Sequence, residues 1–352
     1  MFVSGIGTAV PRQRYLKSEC WEAFQQSDLF QRLNSRTRAV AKTVLLHDNG
    51  IEARHLALDS LQDAFQIDPD TLHTRFLENA PALACKAGKA ALKQSALEPL
   101  QIDAVVVSTC TGYLCPGLSS YVIEQLGLRR DVQAYDLVGQ GCAAALPNWQ
   151  LSSALLASQQ CDHVLSICVE VCSAAMYLDD DSGVMISACL FGDGAGAAVL
   201  SRLPQKHARR IEWRGCESLI NPSQRNALQF EQRNGMLRNI LKREVPRLAA
   251  EHAHQVLKTV LNRTDINIAD IKCWVMHAGG RDVLRAMEKK FGIPKECFRY
   301  SAAMLLEYGN LSSAFVYFVL QTALKDKAQG GAWWLSSFGA GFSCHGALLQ
   351  VE

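Results

Sequence analysis

The chain has 352 residues, 49% of them hydrophobic and 20% charged, with a formal net charge of +2 at pH 7. That length buries a large core without covalent staples, and the near-neutral balance provides no broad basic field for nucleic acid or anionic membranes. Thirteen irregularly spaced cysteines, with no Cys-x-x-Cys pair, argue against a disulfide framework, a zinc ribbon and a thioredoxin-type site, and fit reduced thiols in a cytoplasmic enzyme.

Taken in chain order, residues 1–7 read as a strand and turn, without the basic and apolar regions of a signal peptide. The pattern then predicts a helix over 81–96, a strand over 104–109, helices over 118–126 and 143–158, and strands over 163–171 and 194–200. Further on it predicts helices over 246–261, 281–291 and 312–324, and strands over 273–277, 333–337 and 346–351. Pro81 and Pro246 suit a first helical position, where no N–H is needed. No apolar stretch spans a bilayer without a charge; the nearest, 164–178, is interrupted by Glu170. Strands alternating with helices mean α/β. Gln101-Ile102-Asp103 leads into one strand and Asn267-Ile268-Ala269-Asp270 into another, and each strand ends in a small-residue turn before a helix. This echo suggests a duplicated core with a boundary near Leu203; coincidence between two ordinary βα units is the other reading.

Four segments carry chemistry. In Gly139-Gln140-Gly141-Cys142-Ala143-Ala144, two glycines permit a sharp turn and a small-residue helix start follows. A cysteine there meets the positive end of a helix dipole, so a lowered thiol pKa and a nucleophilic role are expected for Cys142. His277 ends an apolar strand ahead of Ala278-Gly279-Gly280, where α/β strands open onto a ligand crevice. Asn310, in Gly309-Asn310-Leu311-Ser312, is either a turn residue or an amide aimed at an oxyanion. Ser336-Ser337-Phe338-Gly339-Ala340-Gly341 bends the backbone between strands, with no helix or acidic residue behind it to make a dinucleotide fingerprint. Asp179-Asp180-Asp181 reads as a solvated loop rather than a metal site, and no metal site is expected. Trp333-Trp334 reads as core packing.

In their order and wording these segments resemble the thiolase superfamily and, within it, the type III polyketide synthases. Thr111-Gly112-Tyr113-Leu114-Cys115-Pro116-Gly117 and Leu190-Phe191-Gly192-Asp193-Gly194 add to the likeness. The resemblance implies a duplicated αβαβα five-layer fold, with residues 1–203 carrying the nucleophile and 204–352 the His and Asn. It implies a homodimer, and iterative decarboxylative condensation of malonyl-CoA onto an acyl starter held on Cys142. The starter comes from coenzyme A or a carrier protein, and no cofactor beyond the thioester substrates is needed. His277 and Asn310 would polarise the malonyl carbonyl, and His277 would help keep Cys142 as thiolate. The Cys142 N–H, with a second amide from Phe338–Gly339, would hold the tetrahedral oxyanion. Phe191 would be the gatekeeper of the cavity. Cys110, Cys115, Cys172, Ala175, Leu237, Ser312, Phe338 and Gly339 would line that cavity, Cys115 reaching in from across the dimer.

The chain departs from the plant chalcone synthases at Ala278, at Met236-Leu237-Arg238, where a second gatekeeper Phe is missing, and in its thin basic cluster. Arg36, Arg38, Lys42 and Arg54 stand as candidates to hold the coenzyme A phosphates. Small Cys110, Cys172 and Ala175 suggest room for a longer starter or intermediate, and the departures make the bacterial alkylpyrone, alkylresorcinol and phloroglucinol synthases the better comparison within the family, which implies a product of one of those kinds. A ketoacyl synthase III, a hydroxymethylglutaryl-type synthase, a cysteine peptidase (Cys142, His277 and Asn310 keep the papain-like order) and a non-catalytic acyl-binding scaffold remain as alternatives.

Overall fold

The computed structural model describes residues 1–205 and 209–352. Its strands are β1 Phe2–Ala9, β2 Arg14–Leu16, β3 Ala53–His55, β4 Ala104–Ser108, β5 Gln133–Leu137, β6 His163–Glu170, β7 Gly194–Ser201, β8 Ile211–Ile220, β9 Leu228–Arg233, β10 Met236–Leu241, β11 Ile271–Met276, β12 Gly331–Gly339 and β13 Ser343–Val351. The helices are α1 Lys17–Gln26, α2 Asp28–Arg32, α3 Ser35–Leu46, α4 Pro69–Ser95, α5 Leu118–Leu126, α6 Ala145–Ala157, α7 Ser182–Leu190, α8 Val245–Leu261, α9 Arg281–Phe291, α10 Arg299–Tyr308 and α11 Phe315–Lys325.

Nine strands form one sheet in the order β11-β12-β13-β8-β1-β7-β6-β4-β5. The link between β8 and β1 is a single residue pair, Phe2 with Glu212. On one side of it β4 runs parallel to β6, and β6, β7 and β1 are successively antiparallel. On the other side β11 runs parallel to β12, and β12, β13 and β8 are successively antiparallel. Helices α6 and α11 lie between these two half-sheets, α4 and α5 cover one outer face, and α8 and α9 cover the other. The layers are therefore αβαβα, the thiolase-like arrangement.

The central strands are apolar on both faces, as a sandwiched sheet requires. Val105, Val107, Leu165, Ile167, Ala195 and Ala197 join the cluster under α4, while Val106, Val164, Cys168, Ala198 and Leu200 join the cluster with α6 and α11. This alternation aims every even-numbered residue of β6 at the middle layer. Trp149 Nε1 of α6 donates to Tyr317 Oη of α11 at 3.0 Å, and that hydroxyl pairs with Ser166 Oγ at 3.1 Å.

Three helix expectations change. Pro81 is not a first helical residue: α4 begins twelve residues earlier, where Asp68 accepts from Thr71 N at 2.9 Å and Pro69 takes the first turn. The missing Pro81 N–H leaves the Leu77 carbonyl outside the ladder, at a residue 37% exposed, where water can serve it. The helix expected over 143–158 starts at Ala145 after a 3-10 turn over Gly141–Ala143, and the one expected over 312–324 starts at Phe315 after a 3-10 turn over Ser312–Ala314. Asp179-Asp180-Asp181 is anchored rather than merely solvated. Asp179 and Asp181 pair with Arg238 at 2.9 and 3.2 Å, and Asp181 caps α7. Trp333 and Trp334 are fully buried core residues.

Candidate active site

Three chain reversals meet in the middle layer. Cys142 lies in the turn before α6, His277 follows β11, and Asn310 follows α10. Gly309 makes the last of these possible. It has φ +67, and a Cβ there would sit 2.8 Å from the Leu190 carbonyl, so only glycine brings the end of α10 against the end of α7. The contact is a short parallel bridge: Asn310 N donates to Leu190 O at 2.9 Å and Gly192 N to Asn310 O at 3.0 Å. The backbone of Phe191 is thereby tied to that of Asn310.

Asn310 is buried and both ends of its amide are engaged. Nδ2 donates to Gly279 O at 3.3 Å, and Oδ1 accepts from Ser312 N at 2.9 Å. One N–H remains for a substrate. Ser312 holds φ 51 without being glycine, strain that persists only where surrounding bonds over-determine it. Here they do. Its Oγ lies 3.2 Å from Cys142 Sγ and 3.2 Å from Glu170 Oε1.

Glu170 is the residue that sequence reading passed over as an interruption. It is fully buried and takes donors from two separate segments: Cys110 N at 3.0 Å, Thr111 Oγ1 at 3.0 Å, Ser312 Oγ and Ser313 Oγ. Burial raises its carboxyl pKa, opposed by these hydrogen bonds. The available signal was an acid at the end of a strand otherwise apolar on both faces.

The protonation expectations for Cys142 and His277 are corrected. Burial pushes the Cys142 thiol up to about 12, with only partial relief from Ser312 and its own N–H; the half-turn of dipole at a 3-10 start does not offset that desolvation. No hydrogen bond joins the His277 imidazole to the thiol. Its ring packs on Phe338 and Phe315, with centroids 4.9 and 5.5 Å apart, and neither ring nitrogen has a hydrogen bond. Burial pushes its pKa down to about 3, so it is neutral.

A cavity of about 50 Å³ opens beside Cys142. Of the expected wall residues it is lined by Cys110, Cys172, Ala175, Phe191 and Ser312. Leu237, Phe338 and Gly339 are elsewhere. Phe230 of the β9–β10 hairpin supplies the second aromatic wall in place of Leu237. Phe338 backs His277, and Gly339 presses on the Cys142 turn, 2.6 Å separating its missing Cβ from Ala143 N. Cys115 is exposed within this chain. Met176, Tyr177 and Phe230 also stand on its wall.

The basic candidates divide. Arg36 and Lys42 are exposed on α3, and Arg38 lies over the Phe30 ring at 5.3 Å. Arg54 is corrected: it is buried, and its Nη1 donates to Ala188 O at 2.7 Å and Phe191 O at 3.0 Å. It holds the end of α7 and has no exposed surface for a phosphate. Arg54→Met is expected to lower unfolding stability by about 1–3 kcal/mol, through two orphaned carbonyls, and to leave the KM for coenzyme A thioesters within about twofold. Urea denaturation and steady-state kinetics measure both; a raised KM at unchanged stability would restore the phosphate role.

Residues 62–263 match the family model of FAE1/type III polyketide synthase-like proteins, and residues 216–351 match the C-terminal domain of chalcone and stilbene synthases. The chain is 28% identical to a 3,5-dihydroxyphenylacetyl-CoA synthase of Streptomyces toyocaensis, covering 99% of this chain and 89% of that one. It is 26% identical to the alpha-pyrone synthesis polyketide synthase-like protein Pks18 of Mycobacterium tuberculosis, covering 99% and 91%. Its structure superposes on the C-terminal type III polyketide synthase domain of Steely1, a type I/III hybrid from Dictyostelium, with a TM-score of 0.90, 25% identity and 99% of both chains covered.

Proposed function

The chain belongs to the FAE1/type III polyketide synthase-like family, and from that premise we propose that Cys142 is its acyl carrier and that His277 and Asn310 are its decarboxylation donors. The enzyme is an acyltransferase that condenses malonyl-CoA iteratively and cyclises the ketide. A starter acyl group passes from coenzyme A, or from a carrier protein, to Cys142. Malonyl-CoA then loses carbon dioxide, and its thioester oxygen gathers the enolate charge. The neutral His277 imidazole and the free Asn310 N–H donate to that oxygen. The enolate carbon attacks the acyl thioester, the oxyanion rests on the Cys142 N–H, and the sulfur leaves as thiolate. The observation that carries this reading is Cys142 at the wall of a cavity, joined to Asn310 by the one residue Ser312.

The product is proposed to be an alkylpyrone, alkylresorcinol or phloroglucinol. Arg36, Arg38 and Lys42 are proposed to meet the coenzyme A phosphates. Their helix α3 packs on α7, which supplies Val184, Ser187 and Ala188 to the cavity. A homodimer is proposed on the free edge of β5, whose residues are only partly covered, with Tyr113 and Val138 exposed beside it. In it, Cys115 becomes a wall residue for the partner. The strand order repeated on either side of β1 and β8 supports two halves, 1–203 and 204–352. A cytoplasmic location is supported by thirteen free thiols; among the described residues no helix is long and apolar enough to cross a membrane.

The test is incubation with malonyl-CoA and acyl-CoA starters from acetyl through long-chain to aromatic, read by mass spectrometry, with Cys142→Ala as control. Masses rising in two-carbon ketide steps, absent in the variant, are expected. Ketides formed equally by Cys142→Ala would remove the carrier role. Malonyl decarboxylation with no ketide from any free starter would point to a carrier-bound one.

A further inference from the structure

Ser187 of α7 and Asn239 of β10 meet on the wall of the cavity that Cys142 lines. Ser187 Oγ donates to Asn239 Oδ1 at 2.7 Å, and both residues are buried. The other end of the amide is uncommitted: among the described residues no group accepts from Asn239 Nδ2, so two N–H donors are left for whatever enters the cavity. We propose that Asn239, oriented by Ser187, anchors a ketone oxygen of the chain growing on Cys142. The inference rests on Cys142 being the acylated nucleophile and names a residue that decides how far the chain is extended before it is released.

Each member of the pair is held by its own element. Val184, Ser187 and Ala188 of α7, with Phe191 just past its end, fall at helical spacing on the face turned to the cavity, and Ser187 is the one hydroxyl among them. On the hairpin, Asn239 stands directly across from Phe230, and both line the cavity. The neighbouring cross-strand pair, Arg238 with Glu231, belongs to the opposite face of the hairpin and closes an ion pair at 3.0 Å. Arg238 also pairs with Asp179 and Asp181 at 2.9 and 3.2 Å, and Asp181 accepts from Gly183 N and Val184 N at the start of α7. One guanidinium therefore clamps the hairpin to the helix and keeps Asn239 within reach of Ser187. The wall around the pair is apolar, with Val184, Ala188, Phe191, Leu228 and Phe230, and the hydroxyls of Thr111 and Ser312 are already engaged at Glu170. Unbonded N–H groups in such a wall are costly, and an acceptor carried in by the ligand relieves them. A saturated acyl starter brings no acceptor beyond its thioester. Each malonyl extension adds a ketone, an acceptor without a donor, at every second carbon. The amide therefore holds the chain better once extension has begun, and opposes its early release. Ser187 acts through Asn239 as a positioning residue.

Leucine is close to asparagine in size and lacks its donors, so Asn239→Leu separates hydrogen bonding from shape. A wall that acts by volume alone predicts unchanged products. The experiment supplies the full-length protein with an acyl-CoA starter and malonyl-CoA, reads the ketides by mass spectrometry, and measures the KM for malonyl-CoA by coenzyme A release. In Asn239→Leu the ratio of fully extended product to shorter, early-released ketides is expected to fall at least about fivefold, with the KM for malonyl-CoA within about twofold of the parent. Ser187→Ala keeps the N–H donors but frees the amide to turn, and the same ratio is expected to fall about twofold to fivefold. Ser187→Thr keeps a hydroxyl and is expected to return the parent ratio, which a merely structural role would not do. Thermal melts report whether each variant is folded, and the Ser187 variants, which leave the hairpin untouched, decide the matter if Asn239→Leu is not. An unchanged ratio in Asn239→Leu would overturn the anchor. So would a KM raised for every coenzyme A thioester at an unchanged ratio, which would place the amide on the pantetheine arm. Ketides formed equally by Cys142→Ala, or none from the parent, would instead overturn the carrier role of Cys142, so the two failures are distinguishable.

Discussion

His277→Ala is expected to lower ketide formation about a thousandfold while the acyl-Cys142 adduct still forms. The expectation starts from two ring nitrogens, both buried and both without a hydrogen bond. An unpaired buried polar group costs about 1–3 kcal/mol, and here it is retained within aromatic walls of Phe315 and Phe338. A substrate oxygen is the partner that repays this cost. Because burial holds the pKa at about 3, the ring is neutral near pH 7 and donates one N–H. Removing one preorganised donor from a developing oxyanion costs about 10²–10³ in rate; Asn310, with one N–H spent on Gly279, offers one more to the same oxygen. The sign of the pH dependence follows. Protonation of His277 begins only near pH 3, so the acid side of the profile carries no limb at the ordinary histidine position of about 6.5. Intact-protein mass spectrometry after acyl-CoA alone, beside product formation with malonyl-CoA, separates the two steps. Loss of the adduct in His277→Ala, or a limb near 6.5 that this change abolishes, would put the imidazole in the acylation step instead.

The three residues of this scheme were legible because each sits in a local segment whose small neighbours announce a turn. Glu170 and Phe230 were not. Glu170 is made functional by donors at Cys110 and Thr111 on one side and Ser312 and Ser313 on the other, and no window of sequence contains both. Phe230 belongs to a hairpin turned at Asn234-Gly235, both at positive φ, a pairing that signals a two-residue turn; with the second gatekeeper sought at Met236-Leu237-Arg238, on the other strand of that hairpin, the aromatic wall at Phe230 was missed. The fold shows the same division. Strands β4, β6, β7 and β11 are sandwiched between helices and read as apolar runs. Strand β8 mixes Glu212, Arg214 and Glu217 with half-buried residues, because it lies near the margin of the helical cover, and its pattern was not recognised. Helix α4 was cut short at Pro81 because a proline inside a helix is rarer than one at its start. Arg54 looked available because nothing local reveals that α7 folds over it.

Gly339→Ala is expected to reduce activity about a hundredfold with the fold retained. Position 339 ends β12 at ordinary backbone angles, so the substitution adds no conformational strain; the constraint is space. The new methyl would fall 2.6 Å from Ala143 N and 2.6 Å from Gln140 O. Those atoms are the donor and acceptor that close the Cys142 turn, 3.3 Å apart. The methyl is therefore a wedge in one of the two backbone hydrogen bonds that span Cys142, the other running from Ala144 N to Gly141 O at 3.2 Å. Neither wall is the tip of a flexible side chain, and Ser337 Oγ, donating to Ala143 O at 3.0 Å, binds the strand to the turn it would need to leave. Overpacking of this kind costs about 1–3 kcal/mol, which a chain of this size survives. The turn is what gives way, and a displacement of about 1 Å at a reacting atom costs about 10²-fold in rate. Cys142 Sγ would also move off Ser312 Oγ, and ketide formation should fall while the thermal melt shifts by only a few degrees. A variant with full activity would show that the turn tolerates the wedge, and that Cys142 does not depend on the close approach of β12 for its position.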